Sequence, residues 1–225
     1  VRTHLVLTPD RNKEGRSDFR GAFKPEGERY AAYWRAQGDT VQVHRIDVSK
    51  GHRERRQAVL ARIEASAPID VLTLLCHGWK EGVQLGLSIE RRDEREAFAE
   101  FARRLAAASA PPLYVVLYCC LTGDSDEGPQ GDGGFADTLR DALCAAGRPD
   151  VHVFAHTTAG HTTRNARVRL FRGDGSSTGG TGGVDPVARG TAAFRRLDER
   201  LHDVDDPLRW RIPFLTPDAI LAELA

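Results

Sequence analysis

The stretch VVLYCCLTGDSDEG, residues 115–128, decides how this sequence is read. A β-type apolar run ends abruptly in two adjacent cysteines, Cys119 and Cys120, and breaks into a loop of Gly, Asp and Ser. The preceding apolar run, VLTLLCHGW at residues 71–79, also ends on polar chemistry, at His77-Gly78. In parallel α/β sheets, active groups gather at the carboxyl ends of strands. Successive strands commonly lie side by side, and the stretch between these two is long enough for a helical crossover. A thiol and an imidazole are therefore expected at one edge of a sheet.

Outward from that pair, short apolar runs alternate with amphipathic stretches, the pattern of an α/β protein with a mainly parallel sheet. Strands are expected at residues 4–7, 40–44, 71–75, 113–119 and 151–155, with a sixth at 211–215. Helices are expected at 25–36, 53–65, 94–107 and 135–146. In the third of these, Phe98, Phe101, Ala102 and Leu105 recur with helical spacing. In the fourth Phe135, Leu139, Ala142 and Leu143 do so, and Gly147 ends it. The reading is a single domain over 1–225 with about six strands and helices on both faces. Segment 121–134, acidic and Gly-rich, reads as a loop. Segment 173–190, GDGSSTGGTGGVDPVARG, reads as a flexible connection outside any packed core. The tail at 207–225 reads as a strand followed by a helix capped near Thr216.

Composition narrows the function. Lys+Arg and Asp+Glu both number 32, so no net field draws the chain towards nucleic acid or an anionic membrane. The apolar runs are strand-sized rather than membrane-spanning, and the first residues carry no signal-peptide pattern. Four cysteines, two of them adjacent, make a poor disulfide framework. The expected location is a reducing cytoplasm.

A thiol beside an imidazole is the minimal machinery for covalent attack on a carbonyl. Backbone N–H groups nearby can hold the developing oxyanion, and Gly78, without a Cβ, lets the backbone approach substrate closely. Strand alternation puts Cys119 and Cys120 on opposite faces, so only one of them can face His77. Buried filler is the bland alternative, and the natural one for Cys76, Cys119 and Cys144. Zinc needs spaced ligand pairs, which adjacent Cys76-His77 and Cys119-Cys120 do not offer. No metal or cofactor is expected.

LLCHGWKEGVQLG followed by VVLYCCLTGDS resembles the caspase-type cysteine peptidases, the clan of caspases, metacaspases, gingipains, separases and bacterial CHAT proteases. Their pattern is an apolar strand ending in His-Gly, a crossover, and an apolar strand ending in Cys. VVLYCCLTG is similar to the CHAT version, in which the cysteine follows two variable residues and precedes a residue and Ser/Thr-Gly. The likeness covers roughly residues 3–155, with GGFADTLRDALCAAG matching the helix after the nucleophile. It implies a caspase-like fold, His77 as acid/base, Cys120 as nucleophile, and the N–H groups of Gly78 and Cys120 as oxyanion hole. With the Arg- and Ala-rich composition, it points to a bacterial source.

The resemblance also implies where specificity is set. In metacaspases an acid after the first strand binds Arg or Lys, and GRSD loosely matches that stretch and nominates Asp18. Caspases place an Arg there to bind Asp, a part Arg16 could take. The post-nucleophile loop adds Asp124, Asp126, Glu127 and Asp132, which would favour a cationic side chain by Coulomb attraction. Tyr118 departs from the pattern, because metacaspases and clostripain-like enzymes carry Asp two residues before the nucleophile. His156 and His161, among threonines, read as part of a polar substrate-binding loop.

The expected activity is an endopeptidase cutting after Arg or Lys. It would act on protein or peptide substrates and be activated by a partner or by processing at 121–134 or at 173–190, the latter flanked by Arg172 and Arg189. Alternatives from other classes are an inactive interaction module on the same fold and a flavodoxin-like nucleotide or effector binder. The second wants a Gly-rich loop after the first strand, and TPDRNKEGRSD supplies a single Gly.

Overall fold

The computed structural model describes residues 1–11, 22–125, 133–161, 163–173 and 182–225. In chain order the first elements are β1 (Thr3–Pro9), α1 (Lys24–Ala36), β2 (Thr40–Ile46), α2 (His52–Ala65) and β3 (Ile69–Leu75). A meander of three two-residue strands follows: β4 (Gly78–Trp79), β5 (Gly82–Val83) and β6 (Leu87–Ser88). Then come α3 (Arg92–Ala108), β7 (Ser109–Tyr118), α4 (Phe135–Ala145), β8 (His152–His156) and β9 (Val168–Arg172). The chain closes with α5 (Ala192–His202), α6 (Leu208–Arg211), a 3₁₀ turn (Ile212–Phe214) and α7 (Pro217–Glu223).

The main sheet has six strands in the order β2-β1-β3-β7-β8-β9. All neighbours run parallel except β9, which is antiparallel to β8. This is the α/β architecture expected from the alternation of elements. The strands alternate their side chains between two apolar layers. Leu72, Leu74, Val115, Leu117 and Cys119 pack towards α2, α3 and α4. Val71, Leu75, Val116 and Tyr118 pack towards α1, α5, α6 and α7. The fully buried Val and Leu side chains of β7 each contribute about 1.5–3 kcal/mol relative to exposure, which holds the central strands rigid.

Local chemistry sets the ends of the helices. Gly147, at φ 89°, ends α4 with backbone bonds from Gly147 to Cys144 and from Arg148 to Leu143. Such a turn needs a left-handed residue and hence glycine. Thr216 caps α7 as expected, its hydroxyl accepting from the Ala219 N–H at 3.2 Å.

Two expectations are corrected. Residues 211–215 are not a strand: they end α6 and form the 3₁₀ turn, because Pro213 has no N–H to give a ladder. The sixth strand is β9, VRLFR. Segment 173–190 is not wholly a free connection either. Val184 exchanges two 2.9 Å backbone bonds with Leu170, and Val187 is buried in the second apolar layer. Among the described residues no helix is long and apolar enough to cross a membrane.

Candidate active site

Strands β3 and β7 pair in parallel with Leu74 opposite Leu117 and Leu75 opposite Tyr118. Continued by two residues, that register sets Cys76 against Cys119 and His77 against Cys120. The first pair points into the core: the Cys76 and Cys119 sulfurs lie 3.5 Å apart, and both residues are buried. Burial, followed by the contact with Cys76, pushes the Cys119 thiol well above its usual pKa, the opposite of what a nucleophile needs. Alternation then sends His77 and Cys120 to the α1 face. There they line one cavity of about 310 Å³ with Ala22, Phe23, Cys76, Tyr118, Gly160 and His161.

Each wall has a local origin. Phe23, just before α1, sets its ring edge-on to His77 with centroids 4.9 Å apart. Tyr118 forms the floor. Its hydroxyl donates to the Arg209 carbonyl at 2.7 Å, and its ring meets Tyr30, Phe154, His156 and Trp210. The Cys120 thiol lies 3.6 Å from the Gly160 carbonyl, a weak donor contact made across the cavity. Burial, and then the charge of Arg164, lowers the pKa of His161. All four cysteines are free thiols.

Leu121, directly after Cys120, has φ 62°, the one described non-glycine residue in the left-handed region. That conformation costs roughly 1–2 kcal/mol for a residue with a side chain. Two bonds hold the turn: Thr122 Oγ1 donates to the Cys119 carbonyl at 3.0 Å, and the Gly123 N–H donates to the His156 carbonyl at 2.8 Å. The chain therefore leaves the strand just after Tyr118 and presents the Cys120 side chain at the rim, with backbone strain placed where such strain commonly serves function.

Gly78 is needed for space. A Cβ there would lie 2.8 Å from the Cys119 Cβ, 2.8 Å from the Cys120 carbonyl and 2.9 Å from the Thr122 methyl. Two of those atoms belong to the backbone or sit beside it, so they cannot swing away. Gly78→Ala is expected to cost about 1–3 kcal/mol, or several degrees of Tm, measurable by calorimetry. It should also disturb whatever chemistry Cys120 performs.

The remaining sequence candidates fall elsewhere. Asp124 forms an ion pair with Lys80 at 3.4 Å and is not in the described wall of the cavity. Asp18, Asp126, Arg16, Glu127 and Asp132 lie outside the described residues. His161 does reach the cavity, but His156 is not part of a polar loop. It is 2% exposed at the end of β8, and burial, followed by the charge of His161, lowers its pKa to about 3.

Behind the cavity stands a buried ionic cluster that the sequence reading missed. Glu26 in α1 is 1% exposed and Arg209 in α6 is 0% exposed. One Glu26 oxygen accepts from Thr163 Oγ1 at 2.8 Å and lies 3.5 Å from Arg209 Nη1, while the other pairs with Arg29 at 2.6 Å. Thr163 belongs to the same loop as Gly160 and His161, so the cluster anchors that wall. Its partners are too far apart in sequence for spacing to reveal them. Phe23 likewise gives no signal, because it lies in a mostly polar stretch before α1 with no strand or helix pattern of its own. Among the described residues no group of three His, Cys, Asp or Glu side chains is placed to hold a metal ion. No family model matches the chain and no curated protein resembles it closely.

Proposed function

We propose that the protein is a caspase-like cysteine endopeptidase of the cytoplasm that acts through His77 and Cys120. The observation that carries this reading is the shared cavity: two strand ends in register set an imidazole and a thiol at one opening, while the Cys76 and Cys119 sulfurs meet each other in the core. The sheet order, with one antiparallel edge strand, agrees with the fold implied by the resemblance.

In the reaction His77 takes the Cys120 proton and the thiolate attacks the carbonyl carbon of the scissile bond. The carbonyl oxygen becomes an oxyanion, held by the N–H groups of Gly78 and Cys120. Collapse breaks the C–N bond, and the leaving amine takes the proton from His77. Water, deprotonated by His77, then cleaves the thioester and restores the thiol.

For the residue before the cut, Arg or Lys remains the reading, with Asp18 the nominated acid because its segment leads directly into Ala22 and Phe23 of the wall. Asp124 is already paired with Lys80. A second reading has its own observation: apart from His77, Cys120 and His161, the described wall, with Phe23 and Tyr118, is largely apolar. It favours an uncharged side chain.

Digestion of a denatured-proteome peptide library, with termini read by mass spectrometry, separates these readings. Cuts after Arg or Lys support the acid-lined pocket, and cuts after apolar residues support the apolar one. If the intact chain is silent, the digest is repeated after limited proteolysis, since a cut in 121–134 or 173–190 is the expected activating event. Silence from both forms would favour the interaction module.

A further inference from the structure

Beyond His77, on the side away from the cavity, lies a groove of about 590 Å³. Val48, His52 and Arg55 form one wall, at the start of α2, and His77, Gly78, Trp79 and Gln84 form the other, on the meander. His77 lines both the cavity and the groove. A chain laid across Cys120 with one side chain in the cavity therefore runs on, past Gly78, into the groove.

Among the described residues, two polar atoms in the walls of the groove have no partner. Gln84 is 8% exposed, yet its Oε1 is buried with no hydrogen-bond partner, and Arg55 Nε is in the same condition. Arg55 spends one Nη1 donor on the Gln84 carbonyl. Burial lowers its pKa, and among the described residues no carboxylate offsets that cost. Its neighbour His52 instead has an acid, with Nδ1 3.7 Å from Glu94. Buried polar groups are nearly always paired, and an unpaired one costs about 1–3 kcal/mol. A peptide segment, which offers a backbone N–H together with a carboxylate, supplies both missing partners once the two side chains turn out of the walls into the groove.

We propose that this groove binds the leaving-group side of a peptide and selects Asp or Glu at the first or second position after the cut, with Arg55 pairing the side-chain carboxylate and Gln84 Oε1 accepting a backbone N–H. The placement relative to a cut rests on the peptidase reading, whereas binding of an acidic peptide does not.

The test therefore has two arms. In the first, full-length protein carrying Cys120→Ala is titrated with fluorescein-labelled, C-terminally amidated hexapeptides that differ by Glu, Gln or Lys at one position, followed by anisotropy. The Glu peptide should bind roughly tenfold or more tighter than the Gln peptide, with Lys weakest, as expected for a charge-assisted bond. Adding Arg55→Gln or Gln84→Glu should erase the difference, Arg55→Lys should keep most of it, and melting curves should show each variant folded. A Gln peptide with a free C-terminal carboxylate that matched amidated Glu would overturn the side-chain assignment.

The second arm reads residues after the cut in the library digest, comparing wild type with Arg55→Gln. Acidic enrichment that Arg55→Gln removes supports both proposals. Cuts without enrichment, together with equal binding of Glu and Gln peptides, overturn the groove and leave the peptidase standing. Glu-dependent binding without any cut keeps an acidic-peptide site and overturns its place after a scissile bond. Neither binding nor cutting overturns both.

Discussion

Cys120→Ala is expected to reduce cleavage of a library-derived fluorogenic peptide by at least about a thousandfold, and His77→Ala to do the same within experimental error. Groups that act as one unit lose nearly everything when either is removed, and a positioned acid/base alone typically contributes about 10²–10⁴-fold. Cys119→Ala is the decisive control. Its sulfur lies in the core, 3.5 Å from Cys76 and 3.4 Å from the Leu74 carbonyl. The variant should lose on the order of 1 kcal/mol of stability and keep its rate within a few-fold. An active Cys120→Ala protein beside an inert Cys119→Ala protein would sink the assignment. Alkylation by iodoacetamide, mapped by mass spectrometry, gives an independent check, with Cys120 modified first in the native protein.

The second large effect concerns stability. Glu26→Leu leaves the Arg209 guanidinium buried without its carboxylate, and breaking such a pair costs about 3–5 kcal/mol. For a chain of this size that corresponds to a fall in Tm of roughly 10 °C or more, measurable by calorimetry. Arg29→Ala removes the exposed partner of the same carboxylate and should cost at most about 1 kcal/mol. Glu26→Leu combined with Arg209→Met should recover much of the loss, since an apolar pair can replace a buried ionic one. A Glu26→Leu protein that melts within a degree or two of wild type would show that the cluster does not hold the fold together.

Local pattern accounts for what could be read directly from the sequence. The runs at β3 and β7 are mainly apolar because both faces are covered, and the abrupt change to His-Gly and Cys-Cys marks where the sheet ends. Parity along the strands then limits which cysteine can face the imidazole. Readings failed where a residue's role depends on distant partners. β9 carries Arg169, which sequence alone places on the surface. It is fully buried because the carbonyls of Gly123 and Gly183 accept its N–H groups and Phe171 lies under its guanidinium. RIPFL alternates like a strand, yet the proline and the packing of Phe214 on Trp34 and Tyr114 give it another fate. Arg55 and Gln84 lie 29 positions apart and meet through the meander, whose two-residue strands leave no periodic trace.

The link between Glu26 and Arg209 joins residues 183 positions apart. On a ribosome adding about 5–20 residues per second, roughly 10–40 s pass between the synthesis of the first residue and that of the second. Until then α1 has no ionic partner in α6, and the floor tyrosine lacks the Arg209 carbonyl that receives its hydroxyl. A nascent chain therefore carries the thiol and the imidazole well before it can fix the walls around them. The opening is therefore complete only after residue 209 has been made, a delay written into the order of the chain.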